Sequence, residues 1–158
     1  MLTALVFILT LVSIVTMNIT ATNYVEVAKA TQKMEAHLVN LEIEGDTVFL
    51  TFRFNNDSSL DIALVNVQFN IVANKKFVGN YGTRERIILG PGETDIVVRA
   101  EVHSYYLMKL IGYGFESIQS YLYGPHEIHW FVDGAAVIEL PFEETTVNVK
   151  IEEQWVSE

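Results

Sequence analysis

The sequence predicts an all-β body, antiparallel strands packed as two face-to-face sheets, behind an N-terminal hydrophobic helix and with one short helix between late strands. Three observations predict it. Apolar residues recur with period two from Glu35 onward, and turn formers interrupt that pattern at short intervals. Residues 2–21 form one apolar run without a formal side-chain charge. No strand–helix–strand alternation is visible, which argues against a parallel sheet.

Behind the apolar run, a chain of 158 residues leaves room for about one ordinary domain. Half of the residues are hydrophobic and 19% are charged, which excludes a disordered chain. The formal net charge of −10 opposes nucleic acid as a partner, because phosphate binding needs clustered Lys and Arg. The chain has no cysteine, so disulfides, thiolate nucleophiles and thiolate metal sites are absent.

The N-terminus reads MLTALVFILTLVSIVTM, and the first charged side chain is Glu26. A helix spans a bilayer with about 20 mostly apolar residues. We expect a transmembrane anchor over residues 1–22 and a stalk over 23–34 that continues the helix. A cleaved signal and a buried core helix are the alternatives. A signal peptide normally carries Lys or Arg ahead of the apolar run and small residues at its cleavage site. No Lys or Arg precedes this run, and Ile19-Thr20-Ala21 matches a cleavage site poorly. Lys29 and Lys33 favour a cytoplasmic flank under the positive-inside rule, whereas the very short N-terminal tail favours export of the domain behind the helix. The expected topology is single-pass, with the domain on the extracytoplasmic side and membrane lipid as the helix's partner.

The strands come next. Val39, Leu41 and Ile43 alternate with polar residues, Gly45-Asp46 turns the chain, and Val48, Leu50, Phe52 and Phe54 make the second arm of a hairpin. Asn55-Asn56-Asp57-Ser58-Ser59 is a polar break, and Asn56-Asp57-Ser58 within it is a glycosylation sequon. Ala63, Val65, Val67, Phe69, Ile71 and Ala73 define one face of the next strand. Asn74-Lys75-Lys76 turns into Phe77-Val78-Gly79, and Ile87-Ile88-Leu89 ends at Gly90-Pro91-Gly92. Ile96, Val98, Ala100 and Val102 alternate with charges. Leu107, Leu110, Ile111 and Gly114 have helical spacing, so a short or broken helix is expected between about residues 104 and 120. Ile128, Trp130 and Val132 begin a strand. Asp133-Gly134 reads as a hairpin turn, with Ala136, Ile138, Leu140 and Phe142 as its partner. Val147, Val149 and Ile151 form the last strand of a sandwich spanning 35–152, with 153–158 as a tail.

Several of these stretches carry a family resemblance. They are Phe52-Arg53-Phe54-Asn55-Asn56-Asp57, Val65-Asn66-Val67-Gln68-Phe69-Asn70-Ile71, Val78-Gly79 and Gly90-Pro91-Gly92-Glu93-Thr94. Trp130-Phe131-Val132-Asp133-Gly134 and Leu140-Pro141-Phe142 complete the set. In this order they resemble the LEA14-like, or LEA type 2, domain, also called the water-stress hypersensitive-response (WHy) domain. Asn55-Asn56-Asp57 stands where the family shows Asn-Pro-Asn, without the middle proline. The resemblance implies an immunoglobulin/fibronectin-III-like sandwich, a role in desiccation or other stress, and often an N-terminal membrane anchor. It implies no catalytic residue.

Candidate chemistry is sparse. His126-Glu127-Ile128-His129 places its histidines three apart, on opposite faces of a strand, so surface histidines are favoured over metal ligands. Glu143-Glu144 and Glu152-Glu153 are adjacent pairs that diverge on a strand, unlike convergent catalytic carboxylates. Asp57 and Asp61 suit turn capping better than calcium binding. Ser104, Ser117 and Ser120 lack a nucleophile-elbow context. Gly112-Tyr113-Gly114 lacks the strand and helix of a phosphate loop. No cofactor and no enzymatic activity are expected. Tyr105, Tyr106, Tyr113, Tyr121 and Tyr123 cluster in the irregular region, either as an aromatic cover over one end of the sandwich or as a contact surface for headgroups or a protein partner. They mark the one expected interaction surface. The expected function is a membrane-held protective or interaction module of the stress response. The alternative is an accessory structural subunit of a membrane or cell-envelope complex.

Overall fold

The computed structural model describes residues 2–44, 46–102, 128–140 and 146–157. Among the described residues one helix, α1 (Leu2–Lys33), is followed by eight strands: β1 (Glu35–Glu44), β2 (Thr47–Asn56), β3 (Ile62–Ala73), β4 (Lys76–Thr83), β5 (Ile87–Leu89), β6 (Gly92–Glu101), β7 (Ile128–Glu139) and β8 (Thr146–Ser157). The apolar run and the stalk are therefore one continuous helix, because nothing in residues 22–33 breaks it. Ser and Thr hydroxyls along it return to the carbonyl of the preceding turn, as Thr10 does to Val6 at 2.8 Å and Thr16 to Val12 at 2.8 Å.

All described strand pairings are antiparallel. One sheet has the order β1-β2-β6. The other has the order β4-β3-β7-β8, with β5 pairing the first residues of β3. The chain is thus the β-sandwich with an N-terminal helix that the alternation foretold. The inner faces meet in one core: Leu50, Phe52, Phe54 and Val98 from the first sheet, and Leu64, Phe69, Ile71, Trp130, Val132 and Ile151 from the second. Phe52 and Phe69 touch across the sheets, their ring centroids 5.2 Å apart and tilted by 56°, a geometry that aligns ring edge and face. β1 also lies against β8 and closes one side of the sandwich.

Two bulges change which residues face inward. The β1–β2 register shifts between Leu38 and Asn40, so β1 buries Ala36, Leu38 and Leu41, and Val39 and Ile43 do not enter the core. The β3–β7 register shifts between Leu64 and Asn66, so β3 buries Ile62 and Leu64 first and Val67, Phe69 and Ile71 afterwards. Val65 is only half-buried. One extra residue reverses the phase of a two-residue repeat, so the uninterrupted faces expected through Val39 and Val65 are corrected here.

A third correction concerns Asp133-Gly134. These residues are not a hairpin turn. β7 runs through them without a break, pairing Gly134 with Phe69 on one side and Ile151 on the other. The Asn-Gly type of turn needs positive φ at its central residues, and among the described glycines only Gly92 has it, at 94°. Trp130, Val132, Ala136 and Ile138 stay on one buried face across the glycine. Likewise β8 continues past Ile151 to Ser157, which brings Trp155 opposite Trp130.

Among the described non-glycine residues, positive φ falls at Asn74-Lys75, at 48° and 65°, in the turn between β3 and β4. Its geometry is held from outside. The Asn74 backbone N–H donates to the His129 carbonyl at 2.9 Å, and the His129 N–H donates to Asn74 Oδ1 at 3.0 Å.

Candidate functional site

The sandwich has two unlike poles. At the proximal pole the helix meets the β2–β3 loop. Asn23, Glu26, Val27 and Ala30 fall at helical spacing on one side of α1, followed by Met34; Ala30 is fully buried and Val27 packs on the core. Glu26 Oε2 accepts the Ser59 backbone N–H at 2.6 Å, and Glu26 Oε1 accepts Lys29 Nζ at 2.6 Å.

The loop that presents Ser59 is organised by one buried amide. Asn56 is 1% exposed. Its Nδ2 donates to the carbonyls of Leu60 (2.8 Å), Gly90 (3.2 Å) and Leu89 (3.3 Å). Its Oδ1 accepts from Ser58 Oγ at 2.7 Å and from the Ser58 N–H at 3.1 Å. Ser58 Oγ in turn accepts the Leu60 N–H at 3.2 Å. Every polar atom of the loop's centre is thereby satisfied, as burial demands. The sequon at Asn56 is consequently closed to glycosylation in the folded chain.

The distal pole holds the β3–β4 turn, the start of β7 and the end of β8. Val72, Lys75, His129, Trp130, Phe131, Gln154, Trp155 and Val156 line a groove of about 390 Å³ there. Phe77 stands beside the turn, 64% exposed. A smaller trough of about 180 Å³ lies on the outer face of the second sheet, lined by Asn66, Gln68, Asn80 and Arg84 among others. Gln68 Nε2 donates to Asn80 Oδ1 and Asn80 Nδ2 to Asn70 Oδ1, each at 2.9 Å.

Not all of the expected site residues can be placed. Tyr105, Tyr106, Tyr113, Tyr121 and Tyr123 lie outside the described residues, as do the helix expected near 104–120, Ser104, Ser117, Ser120, His126, Glu127 and Glu143-Glu144. The described chain reaches that segment at Val102 and resumes at Ile128, both at the distal pole. Glu152 and Glu153 diverge: Glu152 bonds Lys150, while Glu153 Oε1 meets His37 Nδ1 at 2.8 Å. Asp57 Oδ1 accepts from Asn55 Nδ2 at 3.1 Å, a local loop contact. Arg86 is occupied by Glu139, at 2.5 and 3.2 Å. Among the described residues, no three His, Asp or Glu side chains are grouped to hold a metal ion.

The titrating contact that joins the two sheets is His37 on β1 with Glu153 on β8. Glu153, and then Glu35 at 3.4 Å, hold the imidazole pKa above its ordinary value. The charged residue opposite His37 on β2 is Arg53, whose guanidinium is engaged by Asp95 at 2.7 and 2.8 Å. A raised folded-state pKa means stability that is fully present below the unfolded histidine value of about 6.5 and lost as pH rises through the folded value. We therefore expect the melting temperature of wild type to exceed that of His37→Gln at mildly acid pH, with the gap closing as pH rises through the raised folded value. The pair is partly exposed, so the gap is small. Melting curves of both proteins across that range check it, and a gap that widens with rising pH would refute it.

No protein-family model and no curated protein matches this chain. Solved structures do match. The solution structure of an Arabidopsis thaliana protein is 13% identical over 78% of this chain and 76% of its own, with a TM-score of 0.55. The solution structure of a candidate late embryogenesis abundant (LEA) protein is 15% identical over 94% of this chain and 88% of its own, with a TM-score of 0.53. The fold is LEA-like. Identities this low carry the fold alone, and the LEA-like sandwich here differs from a bare domain in its leading helix. By length and composition that helix is apolar enough to cross a membrane, and the sandwich buries none of its apolar window. The features missed in the sequence are the Glu26–Ser59 contact, the Asn56 centre and the distal groove. The helical stripe Asn23, Glu26, Val27, Ala30 was available as a signal for the first. Trp155 was hidden from the third by being read as tail.

Proposed function

We propose that this chain is a membrane-anchored, non-enzymatic LEA type 2-like module that acts in desiccation or related stress as a protective or interaction domain. The observation that carries this reading is a LEA-like sandwich attached to an exposed apolar helix long enough to span a bilayer. A core helix of a soluble fold would bury its apolar side chains. Here Phe7, Leu11, Ile14 and Met17 are exposed along the run, which supports a lipid environment for them. The non-enzymatic reading is supported by the adjacent carboxylates of β8, which diverge: Glu153 is engaged by His37 and Glu152 by Lys150.

In this reading the working end is the distal pole. Tyr105, Tyr106, Tyr113, Tyr121 and Tyr123 belong to the segment between Val102 and Ile128, and the groove beside Trp155 supplies apolar surface at the pole where those two flanking residues lie. Aromatic and apolar groups beside Lys75 and Lys76 suit transient contact with partly unfolded protein surface. The domain is proposed to stand on the extracytoplasmic side.

Cells with and without the gene, dried and rehydrated, test the role. Lower survival without the gene, restored by the full chain, is the expected outcome. Equal survival, together with no client protection by the purified chain, would overturn it. Recovery of one stoichiometric partner from detergent extracts would instead favour an accessory subunit of a membrane or cell-envelope complex.

A further inference from the structure

We infer that α1 and the sandwich form one rigid unit, and that the Glu26–Ser59 contact seats the proximal pole of the sandwich against the lipid headgroups. The inference rests on the helix being membrane-embedded. It concerns a surface that the stress role does not use, namely the loop at residues 57–60 with the neighbouring turn Gly90-Pro91-Gly92.

The spacing carries it. A span of about 20 residues begun at Leu2 ends at Ala21. Docking on the sandwich starts close behind it, at Glu26. Glu26 lies five residues beyond Ala21, or about 7.5 Å along the axis at 1.5 Å per residue. The headgroup layer on each side of the hydrocarbon is about 5–7 Å deep, from the difference between total and apolar bilayer thickness. Ser59, bonded to Glu26 at 2.6 Å, is then at the outer rim of that layer. No flexible linker intervenes, since α1 is helical to Lys33 and β1 opens at Glu35. Tyr24, 64% exposed, projects at the level where amphipathic aromatic rings collect at membrane surfaces.

Rigidity comes from several contacts acting together. Ala30 and Met34 are buried, and Val27 packs on the core. The Glu26 side chain is only 12% exposed, held by Ser59 and Lys29. Asn56 fixes the loop that carries Ser59, and it also fixes the Leu89–Gly90 backbone. These two loops are therefore one surface. The other pole lies about 33 Å further out, the length of a ten-residue strand such as β2.

The natural absence of cysteine makes the test direct. Single cysteines at Val15, Asp57 and Lys75 in the full chain carry a small fluorophore, in phosphatidylcholine vesicles. A nitroxide placed first in the acyl chains and then on the headgroups is the quencher. The expected result is acyl-chain quenching at Val15→Cys, headgroup quenching at Asp57→Cys, and neither at Lys75→Cys. Adding Glu26→Ala should reduce quenching at Asp57→Cys and leave Val15→Cys unchanged. Loss of quenching at Val15→Cys itself would remove the membrane reading and this inference with it. Quenching at Val15→Cys without any at Asp57→Cys would overturn the seated pole alone. An unchanged Asp57→Cys signal in the Glu26→Ala background would overturn the contact's role in seating it.

Discussion

Asn56→Ala lowers the stability of the sandwich by about 3 kcal/mol, or roughly 10 °C in melting temperature. The side chain is buried and donates to three carbonyls from two loops, those of Leu60, Leu89 and Gly90. Alanine leaves these acceptors and both Ser58 donors without their partner, in a space too enclosed for bulk water to replace it freely. A lost bond at a surface costs little, but a stranded buried group costs its desolvation. Asn56→Asp is a sharper probe. It keeps the shape and the acceptor for Ser58 but sets a carboxylate oxygen against the three carbonyl oxygens, so its loss exceeds that of alanine at neutral pH. Protonating that carboxyl restores a donor, so the excess shrinks in acid. Denaturant unfolding of wild type, Asn56→Ala and Asn56→Asp at two pH values measures both effects. A wild-type-like Asn56→Asp would show that the amide does not face those carbonyls.

The Asn56 centre also shows where a sequence stops being readable. Asn55-Asn56-Asp57-Ser58-Ser59 announces a turn by composition, and a turn is there. Composition ranks Asn56 with its neighbours, however, while the fold buries it and leaves Asp57 and Ser59 exposed. Which of several turn formers becomes the centre depends on Leu89 and Gly90, more than thirty positions away. Local alternation had the opposite character. It marked the strands from Val48 through Phe54 and from Ile96 through Val102 with their correct faces, because each lies unbroken against a partner. It failed at Val39 and Val65, where one inserted residue reverses the phase and leaves no local mark. The stalk is legible as helix, and the helical spacing of Glu26, Val27 and Ala30 is the local mark of its docking. The tyrosine segment lies outside the described residues.

Gly134→Ala is expected to cost more than about 3 kcal/mol, an unusually large effect for one added methyl. A Cβ at Gly134 would lie 2.2 Å from the Gln68 carbonyl oxygen and 2.5 Å from Phe69 Cα. Both are backbone atoms of β3, which cannot swing aside as a flexible side chain can. β7 sits between β3 and β8 in the interior of its sheet, so moving away from one partner presses it into the other. Gly82→Ala provides the control. Its Cβ would be closer still, 2.0 Å from the Val67 carbonyl oxygen, but Gly82 belongs to β4 at the sheet's edge, where the strand can peel outward. The expected cost there is about 1–2 kcal/mol, with faster amide exchange along β4 and little change in β7. Comparable losses at the two sites would mean that steric contact alone, without confinement between partners, sets the cost. A Gly134→Ala protein within about 1 kcal/mol of wild type would mean that β7 does not run tightly past Phe69, and the Asp133-Gly134 pair would again fit a turn between two shorter strands.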